Sequence, residues 1–318
     1  MLLATRPFAL GLLAAALGIA APSLAGDPPA KTGPAVAVYD EKADAHLDIA
    51  RALERAKRNN TRVLVQWGAN WCGWCKLLHK LATDDPAVRK ELLYEYEVVH
   101  VDVGRFDKHL DLAEKYGADF KKSGLPFLTI LAADGSVVAN QETGSLENAA
   151  KGDNPGHDPA KVMAFLSKHQ ATAPKAADVV AAAMEQAKKE DKRVFLHFGA
   201  PWCGWCHRLE DWMATPQVAA ILVKEFVDVK VDTDRMAGGQ ALLDQHAKGK
   251  SGGIPWFEFL APDGTVLATS TAEGGNIGFP AKPEEIAWFV GMLKASPRHL
   301  TADDIAALEK SLQPAPAR

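Results

Sequence analysis

Two rhythms of apolar positions alternate along the chain. Leu47, Ala50, Leu53 and Ala56 recur at helical spacing, and the short apolar run Val63 to Trp67 that follows reads as a buried strand. A second helix is expected from Cys72, a third over Pro86 to Tyr94, a strand over Val98 to Asp102 and a further helix over Asp107 to Tyr116. Phe127 to Leu131 and Ser136 to Ala139 flank Asp134-Gly135, the pairing that most strongly signals a hairpin turn between β-rich runs. Ala160 to Lys168 then closes the unit as a helix. The same order returns in Val194 to Phe198, Phe226 to Asp232, Phe257 to Leu260, Val266 to Ala268 and Glu284 to Leu293. Alternating β and α segments ending in a hairpin predict an α/β fold with a mixed central sheet covered by helices, built twice.

The second pass is a true repeat with a period of about 130 residues, a duplicated domain rather than a solenoid. Trp67-Gly68-Ala69-Asn70-Trp71-Cys72-Gly73-Trp74-Cys75 aligns with Phe198-Gly199-Ala200-Pro201-Trp202-Cys203-Gly204-Trp205-Cys206. Val99 to Asp102 aligns with Val229 to Asp232, and Gly124-Leu125-Pro126-Phe127 with Gly253-Ile254-Pro255-Trp256, in unbroken order. This divides the chain into a first domain over 36–170, a linker over 171–176, a second domain over 177–295 and a tail over 296–318 whose one short helix Thr301 can cap.

A length of 318 residues suits two domains, and 47% hydrophobic with 24% charged residues is an ordinary globular composition. The net charge of −4 gives no reason to expect a nucleic-acid partner. Before the repeats, Arg6, the apolar stretch Phe8 to Ala21 and the small residues ending at Ala25 read as a signal peptide over 1–25. That apolar stretch is shorter than the roughly 20 residues that span a bilayer, so no membrane span is expected after cleavage. The Pro-rich stretch over 26–35 reads as a flexible lead-in. Export to the periplasm or beyond is therefore expected.

All four cysteines fall in the two Cys-x-x-Cys pairs. With the first cysteine at a helix N-terminus, each pair can close a small disulfide ring while the first thiol points outward. The helix dipole there favours the thiolate that attacks disulfides. Cys72 and Cys203 are the expected nucleophiles, and Cys75 and Cys206 the resolving thiols. A shared zinc site is disfavoured because zinc knuckles usually lie ~15 to 20 residues apart. An inert staple is disfavoured because so short a loop gains little stability. Binding of a soft metal such as copper(I) by the thiolates, or a chaperone module in which exchange is incidental, stays open.

The Trp-Cys-Gly-x-Cys core after a β run, with Gly-Leu-Pro-Phe or Gly-Ile-Pro-Trp some 50 residues later, closely resembles the thioredoxin superfamily. The resemblance implies two tandem thioredoxin-like domains and the redox disulfides Cys72–Cys75 and Cys203–Cys206. It implies cis peptides at Pro126 and Pro255 and a substrate-binding surface of Trp71, Trp74, Leu125 and Pro126, matched by Trp202, Trp205, Ile254 and Pro255. It implies a protein disulfide oxidoreductase needing no metal or organic cofactor. The partners it implies are cysteine-containing exported proteins and a thiol-donating or thiol-accepting redox protein, with passage of electrons from one domain to the other as an alternative. The sequence departs from thioredoxin six residues before each first cysteine, where a buried acid is replaced by Gln66 and His197 as candidates for proton handling. His100 and His109 have no recognisable partner, and Lys76 and His207 read as solvated helix residues.

Overall fold

The computed structural model describes residues 37–148, 155–295 and 297–313. The expected signal peptide over 1–25 and the expected lead-in over 26–35 lie outside the described residues. The first repeat runs α1 (Ala45–Asn59), β1 (Arg62–Gly68), α2 (Gly73–Asp84), α3 (Pro86–Glu95), β2 (Tyr96–Asp102), α4 (Leu110–Tyr116), the single-turn α5 (Phe120–Ser123), β3 (Phe127–Leu131), β4 (Val137–Glu142) and α6 (Pro159–Lys168). The second runs α7 (Ala176–Glu190), β5 (Arg193–Gly199), α8 (Gly204–Met213), α9 (Pro216–Glu225), β6 (Phe226–Asp232), α10 (Gly239–His246), β7 (Trp256–Leu260) and β8 (Val266–Thr269). It ends with the two-residue strands β9 (Thr271–Ala272) and β10 (Gly275–Asn276), then α11 (Pro283–Lys294) and the tail helix α12 (Ala302–Leu312).

The two large sheets have one topology, β2-β1-β3-β4 and β6-β5-β7-β8. In each the redox-proximal strand is central, parallel to one neighbour and antiparallel to the other. A central strand packed on both faces is largely apolar, and β1 and β5 are buried from their second residue onward, Gln66 and His197 included. Register then decides which side chains share a face: Gln66 stands opposite His100, and His197 opposite Lys230. The Asp134-Gly135 and Asp263-Gly264 turns place glycine at φ +85° and +87°, conformations that a Cβ disfavours.

Two local expectations are corrected. The buried face of α1 is Ala45, Ile49, Ala52 and Ala56, while Leu47 is exposed and Ala50 lies outside the core. Small alanines let the helix approach the sheet closely; of the expected stripe Ala56 is buried and Leu53 packs partly buried on the core. Helix α4 starts at Leu110 rather than Asp107, because Asp107 caps a turn through its bond from the Arg105 N–H (2.8 Å), and Phe106 and His109 both have positive φ. Thr301 does cap the tail helix, accepting from the Asp304 N–H at 3.1 Å.

From Ala37 onward the chain is one compact unit, and Arg235 joins its two repeats. Its guanidinium pairs with Glu95 at 2.6 Å and 3.0 Å and donates to the backbone carbonyls of Asn59 and Asn60. Lys230 of β6 also reaches Asn59 Oδ1, at 2.9 Å. No helix among the described residues is long and apolar enough to cross a membrane.

Candidate active sites

Cys72 caps the N-terminus of α2, and Cys203 that of α8. Each sulfur accepts the backbone N–H of the cysteine three residues on, at 3.1 Å in both sites. The pairs Cys72–Cys75 and Cys203–Cys206 are joined as disulfides, with Cα separations of 5.3 Å and 5.2 Å. The first cysteine of each pair keeps some exposure, 5% and 4%, while the second keeps 0% and 1%. An incoming sulfur therefore meets Cys72 or Cys203 first.

Leu125–Pro126 and Ile254–Pro255 are both cis. Leu125 packs on the cluster of Tyr39, Cys72 and Cys75, and Ile254 on that of Ala200, Cys203 and Cys206, with the Ile254 carbonyl oxygen 3.6 Å from Cys203 Sγ. Thr143 Oγ1 donates to the Pro126 carbonyl (2.6 Å), and Asn276 Nδ2 to the Pro255 carbonyl (2.9 Å), so each loop is tied to the strand end behind it.

The tryptophans are arranged unequally. Trp71, Trp202 and Trp205 are exposed, whereas Trp74 is partly buried against the cluster of Tyr39, Cys72 and Cys75 and meets the ring of His157 edge-on at 5.5 Å. Trp205 instead stacks on Phe279 under the guanidinium of Arg208. The indole N–H of Trp71 donates to the Gly104 carbonyl (2.7 Å), and that of Trp202 to Asp234 (3.0 Å), which also accepts from Tyr94 of the first repeat.

Beneath the resolving cysteines the repeats diverge further. Gln66 Nε2 donates to the hydroxyl of Tyr39, which reaches the site from the segment before α1 (2.8 Å). His197 turns its Nε2 toward Asp228 on the edge strand, 3.1 Å away. The carboxylate beside Cys206 comes from Glu210: a Cβ built on Gly199 would lie 3.3 Å from Cys206 Sγ and 3.7 Å from Glu210 Oε1. Glu210 Oε1 meets Lys230 Nζ at 2.7 Å, and both side chains are almost fully buried. In the first repeat the corresponding positions hold His79 and His100, whose rings pack edge-on at 5.6 Å. His207 hydrogen-bonds the Pro201 carbonyl (2.8 Å), and His109 stands at the N-cap of α4 with no side-chain cap bond. Tyr39, Glu210 and Lys230 were missed by sequence reasoning, although comparing the two repeats position by position exposes the exchange of His79 for Glu210.

Burial pushes His100 and His157 down to about 4, with His79 adding to the effect on His100. Both histidines fold neutral, and the unfolded chain binds more protons between pH 6.5 and pH 4. Stability is therefore complete above about pH 6.5 and falls as pH drops toward 4. Urea denaturation at pH 7.0 and pH 4.5 is expected to show this loss, and His157→Phe to remove on the order of 2 kcal/mol of it. A pH dependence identical in His157→Phe would contradict the assignment.

Residues 44–133 match a family model described as thioredoxin-like, and residues 160–285 match one named for thioredoxin-like DsbH and described as a protein of unknown function, DUF255. Among curated relatives, protein disulfide-isomerase A6 of Mesocricetus auratus is 26% identical over 204 residues, covering 59% of this chain and 42% of the relative. Human spermatogenesis-associated protein 20 is 31% identical over 84 residues, covering 26% of this chain and 11% of the relative. The chain thus spans less than half the length of either. Among solved structures, a disulphide isomerase from Xylella fastidiosa Temecula1 is 33% identical, covering 41% of this chain and 95% of that one at a TM-score of 0.36.

Proposed function

Because the chain belongs to the thioredoxin superfamily, we propose that it is an exported thiol–disulfide oxidoreductase exchanging disulfides with cysteines of other exported proteins at two separate sites. The observation that carries this is the repeated constellation of a slightly exposed cysteine at a helix N-terminus, a buried partner three residues on and a cis-proline loop against both. The helix N-terminus stabilises the first thiolate, and that thiolate attacks a client disulfide to form a mixed disulfide. The second thiolate then attacks the first sulfur, closes the ring and releases the client sulfur. Run backwards, the same steps oxidise a client dithiol. The backbone at Leu125 and Ile254, before the cis-prolines, and the exposed indoles Trp71, Trp202 and Trp205 supply polar and apolar purchase for an extended client segment. Residues 1–25, with their basic start, apolar run and small-residue end, support export to the periplasm or secretion.

The test is trapping. Cys75→Ala and Cys206→Ala are expected to accumulate mixed disulfides with cell-envelope or secreted proteins, seen as reducible adducts on non-reducing gels. Adducts forming instead in Cys72→Ala or Cys203→Ala would reverse the assigned roles, and none in any variant would remove the exchange reading.

A further inference from the structure

Tyr39 is a buried phenol, 1% exposed, that the exchange steps above leave without a task. Its position is set by Asn70, whose Oδ1 accepts the backbone N–H groups of Val38 (3.0 Å) and Tyr39 (3.1 Å) and whose Nδ2 donates to the Tyr39 carbonyl (2.8 Å). The second repeat has Pro201 in place of Asn70, so it has no side-chain amide to clamp a corresponding segment. Clamped in this way, Tyr39 packs against Cys72 and Cys75. A Cβ on Gly68 would fall 2.1 Å from Tyr39 Oη and 2.8 Å from Cys75 Sγ, so the hydroxyl and the sulfur flank a spot that only glycine leaves open. Gln66 Nε2 occupies the acceptor side of the phenol oxygen at 2.8 Å. The phenol's own O–H is thereby directed to a different neighbour.

We propose that Tyr39 donates a hydrogen bond to the Cys75 thiolate at the first site, with Gln66 fixing the direction of the phenol O–H. The inference rests on Cys72 and Cys75 acting as attacking and resolving thiols. In resolution, Cys75 first loses its proton to water, and its thiolate attacks Cys72 Sγ. The Cys72–Cys75 bond forms, the bond from Cys72 to the client breaks, and the client sulfur leaves as a thiolate. The two electrons that reduce the client's disulfide come from the protein dithiol, which is oxidised to the Cys72–Cys75 disulfide. In the reverse direction a client thiolate attacks Cys72 Sγ and Cys75 leaves as the thiolate. Negative charge stands on Cys75 in both directions, so one donor serves both.

Such a donor matters because Cys75 has no exposure, and an unassisted buried thiolate is costly. Hydrogen bonds to an ionised acceptor are roughly twice as strong as neutral ones. Burial raises the Tyr39 phenol above its usual range, so it keeps the proton it donates. The other titratable groups facing it are His100, edge-on at 5.6 Å and neutral near pH 7, with His79 behind it, and Asp102, which is paired with Lys108 at 2.7 Å. None of these is an uncompensated cation that could take over the role.

The experiment uses the full chain with Cys203→Ser and Cys206→Ser, so that only the first site reports. Reduced protein is mixed with 5,5′-dithiobis(2-nitrobenzoate) in a stopped-flow instrument: attack by Cys72 releases one coloured thiolate, and resolution by Cys75 releases the second. Tyr39→Phe keeps the ring and removes the hydroxyl. It is expected to slow the second release about tenfold at pH 7 and move its pH midpoint upward, leaving the first release unchanged. The complementary chain, with Cys72→Ser and Cys75→Ser, is expected to show no effect of Tyr39→Phe on the second site. An unchanged second release and midpoint, or equal slowing at both sites, overturns the proposal. A parent chain with no second release would instead overturn the roles of Cys72 and Cys75.

Discussion

A chain carrying Cys72→Ser and Cys203→Ser together is expected to reduce insulin with dithiothreitol no faster than dithiothreitol alone, a loss of at least about a hundredfold. Serine is nearly isosteric with cysteine, so the helix caps and the cis-proline loops are retained, and only the nucleophile changes. A hydroxyl at neutral pH offers almost no anion, whereas a thiol at a helix N-terminus is substantially ionised. The single variants separate the sites. If each repeat acts independently, Cys72→Ser and Cys203→Ser should each keep the rate of the remaining site, and the two residual rates should sum to that of the parent. If electrons instead pass from one repeat to the other, either single variant should fall as far as the double. More than a tenth of the parent rate surviving in the double variant would place the chemistry elsewhere.

The parts of these sites that were legible in the sequence are the local ones. A cysteine, its partner three residues on and the β run before them lie within a dozen residues, and the proline loop is bound to them by repetition of order. Helix caps such as Thr301 are equally local. What stayed hidden depends on register and on long separations. Tyr39 meets Gln66 only because Asn70 folds the segment before α1 back over the site. Lys230 meets Glu210 only because β6 pairs in parallel with β5, and its other partner, Asn59, comes from the first repeat. The α1 stripe misled in part, at Leu47 and Ala50, for a different reason: hydrophobicity ranks leucine above alanine, while close helix–sheet contact at Ala45 and Ala52 selects the smaller side chain. The partial burial of Trp74 has the same origin, since the cluster it packs against includes Tyr39, brought there by the clamped segment.

The second large effect concerns Glu210. Replacing it by glutamine leaves the Lys230 ammonium buried without its counter-charge, and breaking a buried pair from one side typically costs about 3–5 kcal/mol. Glu210→Gln is therefore expected to lower the unfolding free energy by about that amount, and Lys230→Met to do likewise. The double variant Glu210→Gln/Lys230→Met should recover most of the loss, because neither charge is then stranded. The same substitution acts on the redox site with a definite sign. Glu210 Oε1 and Cys206 Sγ border the same spot beside Gly199, so the carboxylate opposes a negative charge on the resolving sulfur. Removing it while Lys230 remains favours the thiolate, and the pH profile of resolution at the second site should move down by about one unit. His197→Gln is expected to leave that profile in place, because its Nε2 is engaged with Asp228 on the β6 edge and not with Cys206. A profile that moves with His197→Gln and stays fixed with Glu210→Gln would hand proton handling at this site back to the histidine. Stability that is additive rather than restored in the double variant would show that Glu210 and Lys230 do not act as a pair.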